Sequence, residues 1–436
     1  MAPAHQSAQA WGQRRRRVLL VSPDRIAPEM AGAGVRYLEL SRVLASHFEV
    51  RLAAPESSVA AVNVPTMMTY DPEAVGALRR PVKWADVVVS PPLAPRLLGG
   101  GLPRRWIVDL YNPEPFEGLE LHSRRRPVER KALDVLRIDR IAYAIRRGSA
   151  FVCASERQRD MWLGFLAASR RLASDIHAHD PELRSLIAVV PSGLPAEGPQ
   201  FGEASFRGRV FPEDARILVW HGGIWDWLDP ITALRGLAFL RERDARWRLL
   251  FTGAGRPSHR PGMSMSERAR QVARDLGLEQ AGAVHFATWT PYDKRAQPLL
   301  EADVGVSLHL PTLESRFAFR TRMLDYVWAR LPIVASAGDE WADRIEREGL
   351  GEVVAPGDPA AFAEAVGVVA GKGREAYDQA FSSVARALRW SEVARPLLAL
   401  VAGAPSTPRS IIAPALALRH SAAALADDLR GLLRPS

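Results

Sequence analysis

Short apolar runs alternate with longer stretches of helical periodicity along this chain, and the alternation happens twice. A strand that is apolar on both faces has to be covered on both, so this pattern reads as parallel sheets with crossover helices. In the first half it predicts strands at 18–22, 49–53, 87–90, 106–109, 151–154 and 188–191. In the second half the predicted strands are 217–220, 248–252, 284–286, 304–308, 333–336 and 352–354. At 436 residues, 47% of them hydrophobic, the chain is long and apolar enough for two domain-sized cores. The expectation is an α/β protein: a basic tail at 1–17, an α/β domain at 18–198, a second at 212–402 and a final helix at 413–436. The Gly- and Pro-rich segment from about 192 to 214 is the expected linker.

Helix starts are clearest in the second half. Asp229-Pro230 and Asp358-Pro359 each combine an N-cap acid with proline at the first helical position. Ser266 is expected to open a further helix, closed by Gly277.

Lysine plus arginine number 58 against 49 acids, a formal charge of +9, which favours an anionic partner. Part of the excess is the run Arg14-Arg15-Arg16-Arg17, either a solvated tail or a contact to an acidic membrane surface. The basic residues are otherwise dispersed, and no nucleic-acid-binding motif stands out, so no nucleic-acid partner is expected. A single cysteine, Cys153, excludes an internal disulfide framework and a CxxC metal site. With no secretory pattern after Val18-Leu19-Leu20-Val21 and no apolar stretch of about 20 residues, a cytoplasmic protein is expected, at most peripheral to a membrane.

Four stretches carry candidate site residues. Gly32 and Gly34 follow the first strand at the start of a helix, where bare amides can approach a phosphate, or where a loop simply needs flexible residues. Tyr37 stands where a dinucleotide fingerprint requires glycine or alanine, and no Gly-Lys-Ser/Thr follows, so neither NAD nor a P-loop is indicated. Gly222 and Gly223 occupy the equivalent turn of the second half, inside Trp220-His221-Gly222-Gly223-Ile224-Trp225-Asp226-Trp227. Two such turns at the carboxyl edges of two sheets define a cleft.

The third stretch, 307–326, leaves a strand, crosses a loop with His309, Glu314 and Arg316, and enters a helix bearing Arg320, Arg322 and Asp325. Asp325 has the chemistry to accept from ribose hydroxyls, and Arg320 and Arg322 to neutralise a diphosphate, with a surface salt-bridge cluster as the plain alternative. The fourth is Gly338-Asp339, an amide cradle for phosphate or a simple helix cap. In the first half, Asp109, Asn112, Glu114, Glu117 and His122 lie beyond a strand end, where acceptor-side or acid/base groups would sit.

The run Leu-Asp-Tyr-Val-Trp-Ala-Arg-Leu-Pro-Ile-Val-Ala-Ser at 324–336, followed by Gly338-Asp339, resembles the donor-binding segment of GT-B glycosyltransferases of family GT4, the glycosyl transferases group 1. The resemblance extends through 220–229, 289–295 and 300–325, and more weakly through 151–157 and 189–194. It implies a GT-B architecture, two Rossmann-like doubly wound domains facing across a cleft. It further implies transfer of a sugar from a nucleoside-diphosphate sugar to a saccharide, lipid or small-molecule acceptor, with retention of configuration and no catalytic metal or other cofactor. A binding protein without turnover, or another GT-B enzyme such as a nucleotide-sugar epimerase, is the alternative.

By its distance to Pro332, Asp325 matches the second carboxylate of the family's paired acidic motif, the ribose-binding one. The first falls on Phe317, with Glu314 the nearest acid and, with Asp109 and Glu114, a catalytic candidate. The donor set implied is Gly32, Gly34, Gly222, Gly223, Trp289, His309, Arg320, Arg322, Asp325, Gly338 and Asp339. Members of the family also carry an arginine and a lysine after the first strand of the second domain. This chain has glycines there and no base before Arg235, so Arg320 or Arg322 is expected to supply the cation.

Overall fold

The computed structural model describes residues 15–59, 66–121, 126–255 and 264–403; the expected helix at 413–436, most of the basic tail and His122 lie outside them. Strands β1 (Arg17–Val21), β2 (Glu49–Pro55), β3 (Met67–Tyr70), β4 (Val87–Ser90), β5 (Trp106–Asp109), β6 (Ala150–Cys153) and β7 (Ile187–Val189) form one sheet. Its order is β3-β2-β1-β4-β5-β6-β7, parallel throughout. The second sheet comprises β8 (Arg216–Trp220), β9 (Trp247–Phe251), β10 (Val284–Phe286), β11 (Val304–Ser307), β12 (Ile333–Ser336) and β13 (Gly351–Val354). It is also parallel, in the order β10-β9-β8-β11-β12-β13.

In both sheets the chain starts centrally, walks to one edge and returns past its first strand. That reversal, between β1 and β4 and between β8 and β11, opens a crevice beyond the carboxyl ends of the strands. The twelve strand segments read from the sequence all form; β3 is additional. Met67–Tyr70 is an edge strand with only Tyr70 buried, and such a strand lacks the apolar run by which a central strand is recognised.

Packing follows the period of two along each strand. Val18 and Leu20 of β1 point into one apolar cluster, Leu19 and Val21 into the cluster on the opposite face of the sheet. The first cluster continues without a break into the core of the second lobe. Cys153 is buried in the other, and burial pushes its thiol up to about 12, which leaves it unreactive.

The helix caps form as the sequence predicts. Asp229 accepts the backbone N–H of Thr232 at 3.0 Å and its hydroxyl at 2.6 Å, and Asp358 accepts from Ala360 and Ala361. The helix expected to open at Ser266 instead spans Ser264–Asp275, because Asp226 reaches over to accept from the Ser264 hydroxyl and the Met265 amide, each at 2.8 Å.

Past the second sheet the chain returns to the first lobe. The Leu194 amide donates to the Leu388 carbonyl at 2.7 Å and the Trp390 amide to the Leu194 carbonyl at 3.0 Å. The helices Trp390–Val393 and Arg395–Ala402 then pack on the Gly32–Ala45 helix and on β7. Among the described residues no helix is long and apolar enough to cross a membrane.

Candidate active site between the lobes

Each sheet delivers one glycine-containing turn to the crevice. After β1, the Gly32–Ala45 helix starts from Ala31 in extended conformation with no side-chain cap, so its first N–H groups have no intrahelical partner. After β8 the chain turns at Gly222, whose φ of +83° favours glycine. The Thr321–Trp328 helix, opposite the first, also begins without a side-chain cap. A Cβ placed on Gly32 would come within 2.9 Å of the Thr321 hydroxyl, so these two helix N-termini meet across the gap. Between them lies a cavity of about 170 Å³ lined by both lobes. Two uncapped helix N-termini make it a place for negative charge.

The side chains around this cavity divide into a satisfied set and an unsatisfied cation. Arg295 Nε donates to Asp325 Oδ1 at 3.0 Å, while its guanidinium lies 3.7 Å from the Tyr292 ring centroid and 4.2 Å from that of Trp328. His221 Nε2 stands 3.5 Å from the other Asp325 oxygen, and His221 Nδ1 is 2.9 Å from the Thr252 hydroxyl. Burial holds His221 below the usual imidazole range, so it is neutral at pH 7. Asp325 owes its position to the next residue. The Tyr326 hydroxyl lies 2.8 Å from the Val306 carbonyl and 3.0 Å from that of Val219, and accepts the His221 amide at 3.0 Å, tying the helix to two strand ends.

Arg322 is different. It is 9% exposed, and its Nη2 donates to the Gly223 carbonyl at 2.8 Å. Its Nη1 is buried with no hydrogen-bond partner, and among the described residues no carboxylate pairs with it. Burial therefore pulls its pKa down to about 10, which leaves it a cation at neutral pH. An unpaired buried charge costs several kcal/mol of desolvation. Arg322 lines the cavity beside the two helix N-termini.

The rest of the expected donor set distributes as follows. Gly32, Gly222, Gly223, Trp289, Arg322 and Asp325 line the cavity. Arg320 does not: its two terminal nitrogens donate to the two Glu314 oxygens at 3.0 and 2.8 Å, both side chains being buried. Of the two expected cations only Arg322 lines the cavity, since a bidentate buried pair leaves neither Arg320 nor Glu314 open to a ligand. Asp339 is a cap, accepting the Ala342 amide at 2.8 Å, with its carboxyl 1% exposed. His309 Nδ1 donates to the Leu310 carbonyl at 3.2 Å, and its bare Nε2 faces Asp339 at 3.5 Å. Burial and the neighbouring Arg320 push His309 down to about 4. His309 and Gly338 line a separate groove with Arg157, whose guanidinium crosses between the lobes to Asp343 and the Gly338 carbonyl.

Gly34 lies inside the first helix, not at a cradle; a Cβ there would come within 2.7 Å of the Arg25 carbonyl, so it serves close packing. Asp109 is held at the end of β5 by Arg36, Nε and Nη2 donating at 2.8 and 3.0 Å, both residues almost fully buried. Glu114 pairs with Arg140. Both acids line a second cavity of about 280 Å³ in the first lobe. Sequence reasoning missed Arg36, Arg295, Tyr292 and Trp225. Arg36 sits one turn beyond Gly32 on the same helix, a spacing that signals its proximity to the turn; Arg295 has no comparable local signal.

Residues 215–371 match the family described as glycosyl transferases group 1. No curated protein matches the sequence. Among solved structures, sucrose-phosphate synthase from Thermosynechococcus elongatus aligns with a TM-score of 0.63 at 16% identity, over 88% of this chain and 97% of that one. Anabaena Alr3699/HepE in complex with UDP and glucose aligns with a TM-score of 0.61 at 12% identity, over 88% and 98%. The Escherichia coli trehalose-6-phosphate structure bound with UDP-2-fluoro glucose gives 0.58 at 12%, over 89% and 99%. These likenesses span both lobes and establish the GT-B fold.

Proposed function

We propose, on the footing of a GT-B chain whose second lobe matches the glycosyl transferases group 1, that this protein transfers a sugar from a nucleoside-diphosphate sugar to an acceptor hydroxyl, with retention of configuration. The observation that carries the reading is the buried Arg322 guanidinium, without a carboxylate partner, on the wall of the cavity where two uncapped helix N-termini meet: an anion with several oxygens is suited to all three. A diphosphate has that chemistry. Asp325, three residues on from Arg322, carries a carboxylate on the next turn of the same helix, within reach of ribose hydroxyls. Trp225 and Trp289, flanking Gly223, offer apolar faces for a base. The UDP and UDP-sugar ligands of similarly folded proteins support this assignment.

Mechanistically, the bond between the sugar C1 and the diphosphate oxygen loosens first, and its electron pair stays with the departing diphosphate. Arg322 and the helix amides stabilise that charge from fixed positions, so little reorganisation accompanies the step. The oxocarbenium-like sugar is captured by the acceptor hydroxyl on the face the diphosphate leaves, and the hydroxyl proton passes to the diphosphate oxygen. No metal or other cofactor enters this scheme; the positive charge it needs is supplied by Arg322 and the helix ends. The interlobe cavity of about 170 Å³ is smaller than the ~300–1,000 Å³ of typical ligand sites. We infer that the lobes part to admit the donor.

Thermal denaturation of the full chain with UDP, GDP, dTDP and ADP sugars tests the reading. A donor at 100 times its dissociation constant adds about 2.7 kcal/mol of stability. At least one of them is expected to raise the melting temperature, and Asp325→Ala to abolish that rise. No rise with any of them, or an undiminished rise in the variant, overturns the assignment. The anomeric configuration of the product tests retention separately.

A further inference from the structure

The crevice lies beyond the carboxyl ends of the strands, and the amino ends of the first sheet form a second face, about 15 Å away at the far end of short strands. This amino edge is rich in arginine. Arg16-Arg17 leads into β1 and Arg104-Arg105 into β5. Arg146-Arg147 ends the Pro127–Arg147 helix just before β6, and Arg170-Arg171 follows the end of the Glu156–Ala168 helix. Hydrogen bonds join these pairs into one strip. The Arg17 carbonyl accepts the Asp86 amide at 2.9 Å, the Arg105 carbonyl the Val88 amide at 2.9 Å, and the Trp106 carbonyl the Ser149 amide at 2.7 Å. Arg171 Nη2 then donates to the Gly148 carbonyl at 2.7 Å.

The strip holds more positive charge than its own acids neutralise. Glu49 and Asp86 stand at strand starts along it, and Asp86 is taken up by the Arg17 amide and guanidinium and by Arg104. Arg146, Arg147 and Arg170 are exposed and have no ion pair among the described residues. Burial and the Arg16 charge beside it hold Arg105 below the usual guanidinium range, as crowded like charges do. Complementing a helix dipole accounts for arginines at helix C-termini, but not for Arg104-Arg105, which sit on a loop. The basic run Arg14–Arg17 feeds into the same strip, since Arg17 opens β1.

Two leucines decide which anion fits. Leu102, two residues before Arg104, is 43% exposed, and Leu172, next to Arg171, is 41% exposed. A polynucleotide would use the arginines and leave both leucines in water. It would also find no ring to stack on, because Trp84 lies under the Arg17 and Arg51 guanidiniums, 5.5 and 4.0 Å from its centroid, and Phe151 under Arg171. A bilayer of anionic lipids uses both features: its phosphates meet the guanidinium forks, and the leucines enter the headgroup boundary. A sheet edge, with strands about 4.8 Å apart, also presents its charges in a row suited to a planar partner.

We propose that the amino edge of the first sheet docks this protein on an anionic membrane surface, through its arginine pairs with Leu102 and Leu172, and that the interlobe crevice then faces away from the bilayer. This docking is independent of the chemistry in the crevice.

Co-sedimentation of the full chain with vesicles of phosphatidylcholine, alone or mixed equally with phosphatidylglycerol, tests it, beside binding to duplex DNA and to polyglutamate. The chain is expected to bind the mixed vesicles only, and less as salt rises. Arg147→Gln/Arg170→Gln is expected to weaken that binding about 30-fold, the combined worth of two basic residues at an anionic surface. Leu102→Ser/Leu172→Ser is expected to weaken it about tenfold. Both double variants are expected to keep the wild-type melting temperature, the replaced side chains being exposed. No binding to the mixed vesicles, equal binding to neutral ones, tighter binding to DNA or polyglutamate at equal charge, or vesicle binding unchanged in either double variant overturns the proposal.

Discussion

At the scale of single residues, two side chains of one helix turn do opposite things. Arg320 spends its fork on Glu314, whereas Arg322, which lines the interlobe cavity, keeps a buried nitrogen without a partner. Sequence could name both as candidate cations but could not divide them, because the division depends on where Glu314 sits in space. If Arg322 is held for an anion, Arg322→Met removes a desolvation cost while keeping the volume. The variant is expected to melt at or above the wild-type temperature, with nucleotide-sugar affinity reduced by about 10- to 100-fold, the worth of a charge-assisted contact of about 1.5–3 kcal/mol. Calorimetric titration beside thermal denaturation checks both halves. His309 gives a pH signature. Its pKa of about 4 in the folded protein lies below the ordinary imidazole value near 6.5. The unfolded chain therefore binds the proton first, and stability falls as pH drops from about 6.5 towards 4, by an amount on the order of 3 kcal/mol. Asp339, whose carboxyl burial holds above its usual range, takes up a proton more readily when folded and offsets part of the loss. Urea midpoints between pH 7 and 5 are expected to decline less steeply in His309→Asn than in the wild type.

At the scale of elements, what was readable was local. The caps at Asp229 and Asp358 and the strand cores were legible because cap and proline are neighbours in sequence and a buried strand announces itself by its apolar run. What was not legible was the pairing of elements through a single polar atom. Tyr326 reads as one more apolar position of a helix, yet its hydroxyl links that helix to the ends of β8 and β11 and accepts the buried His221 amide. Tyr326→Phe leaves that amide, and the one carbonyl to which the hydroxyl donates, short of a partner. It is expected to destabilise the chain by about 1–3 kcal/mol and, by loosening Asp325, to weaken donor binding as well. Denaturant melts and donor titration of the same variant measure the two effects. A melt and an affinity both unchanged would mean that the hydroxyl does not position the helix.

At the scale of the whole molecule, the closed lobes set the question of access. Gly32 and Thr321 face each other so closely that a Cβ on Gly32 would lie 3.4 Å from the Thr321 Cβ, close to the ~3.5–4.5 Å separation of a disulfide. The chain has one native cysteine, and it is buried, so a second pair can be installed without competition. In Gly32→Cys/Thr321→Cys, oxidation is expected to pin the lobes shut and abolish nucleotide-sugar binding, and reduction to restore it. Binding that survives oxidation, with the bond verified by mass, would show that the donor enters without the lobes parting.

The sequence by itself determined the two parallel sheets, their order of elements and the position of both glycine turns, because hydrophobic periodicity, caps and turn residues act over a few neighbours in the chain. Only the tertiary structure decided which acids and bases neutralise one another. Asp109 went to Arg36, Glu114 to Arg140, Glu314 to Arg320 and Asp325 to Arg295, leaving Arg322 over. The physical reason is that electrostatic pairing depends on distance and burial after the chain has folded, and partners 6, 26, 30 and 73 positions apart carry no sign in the sequence that they will meet.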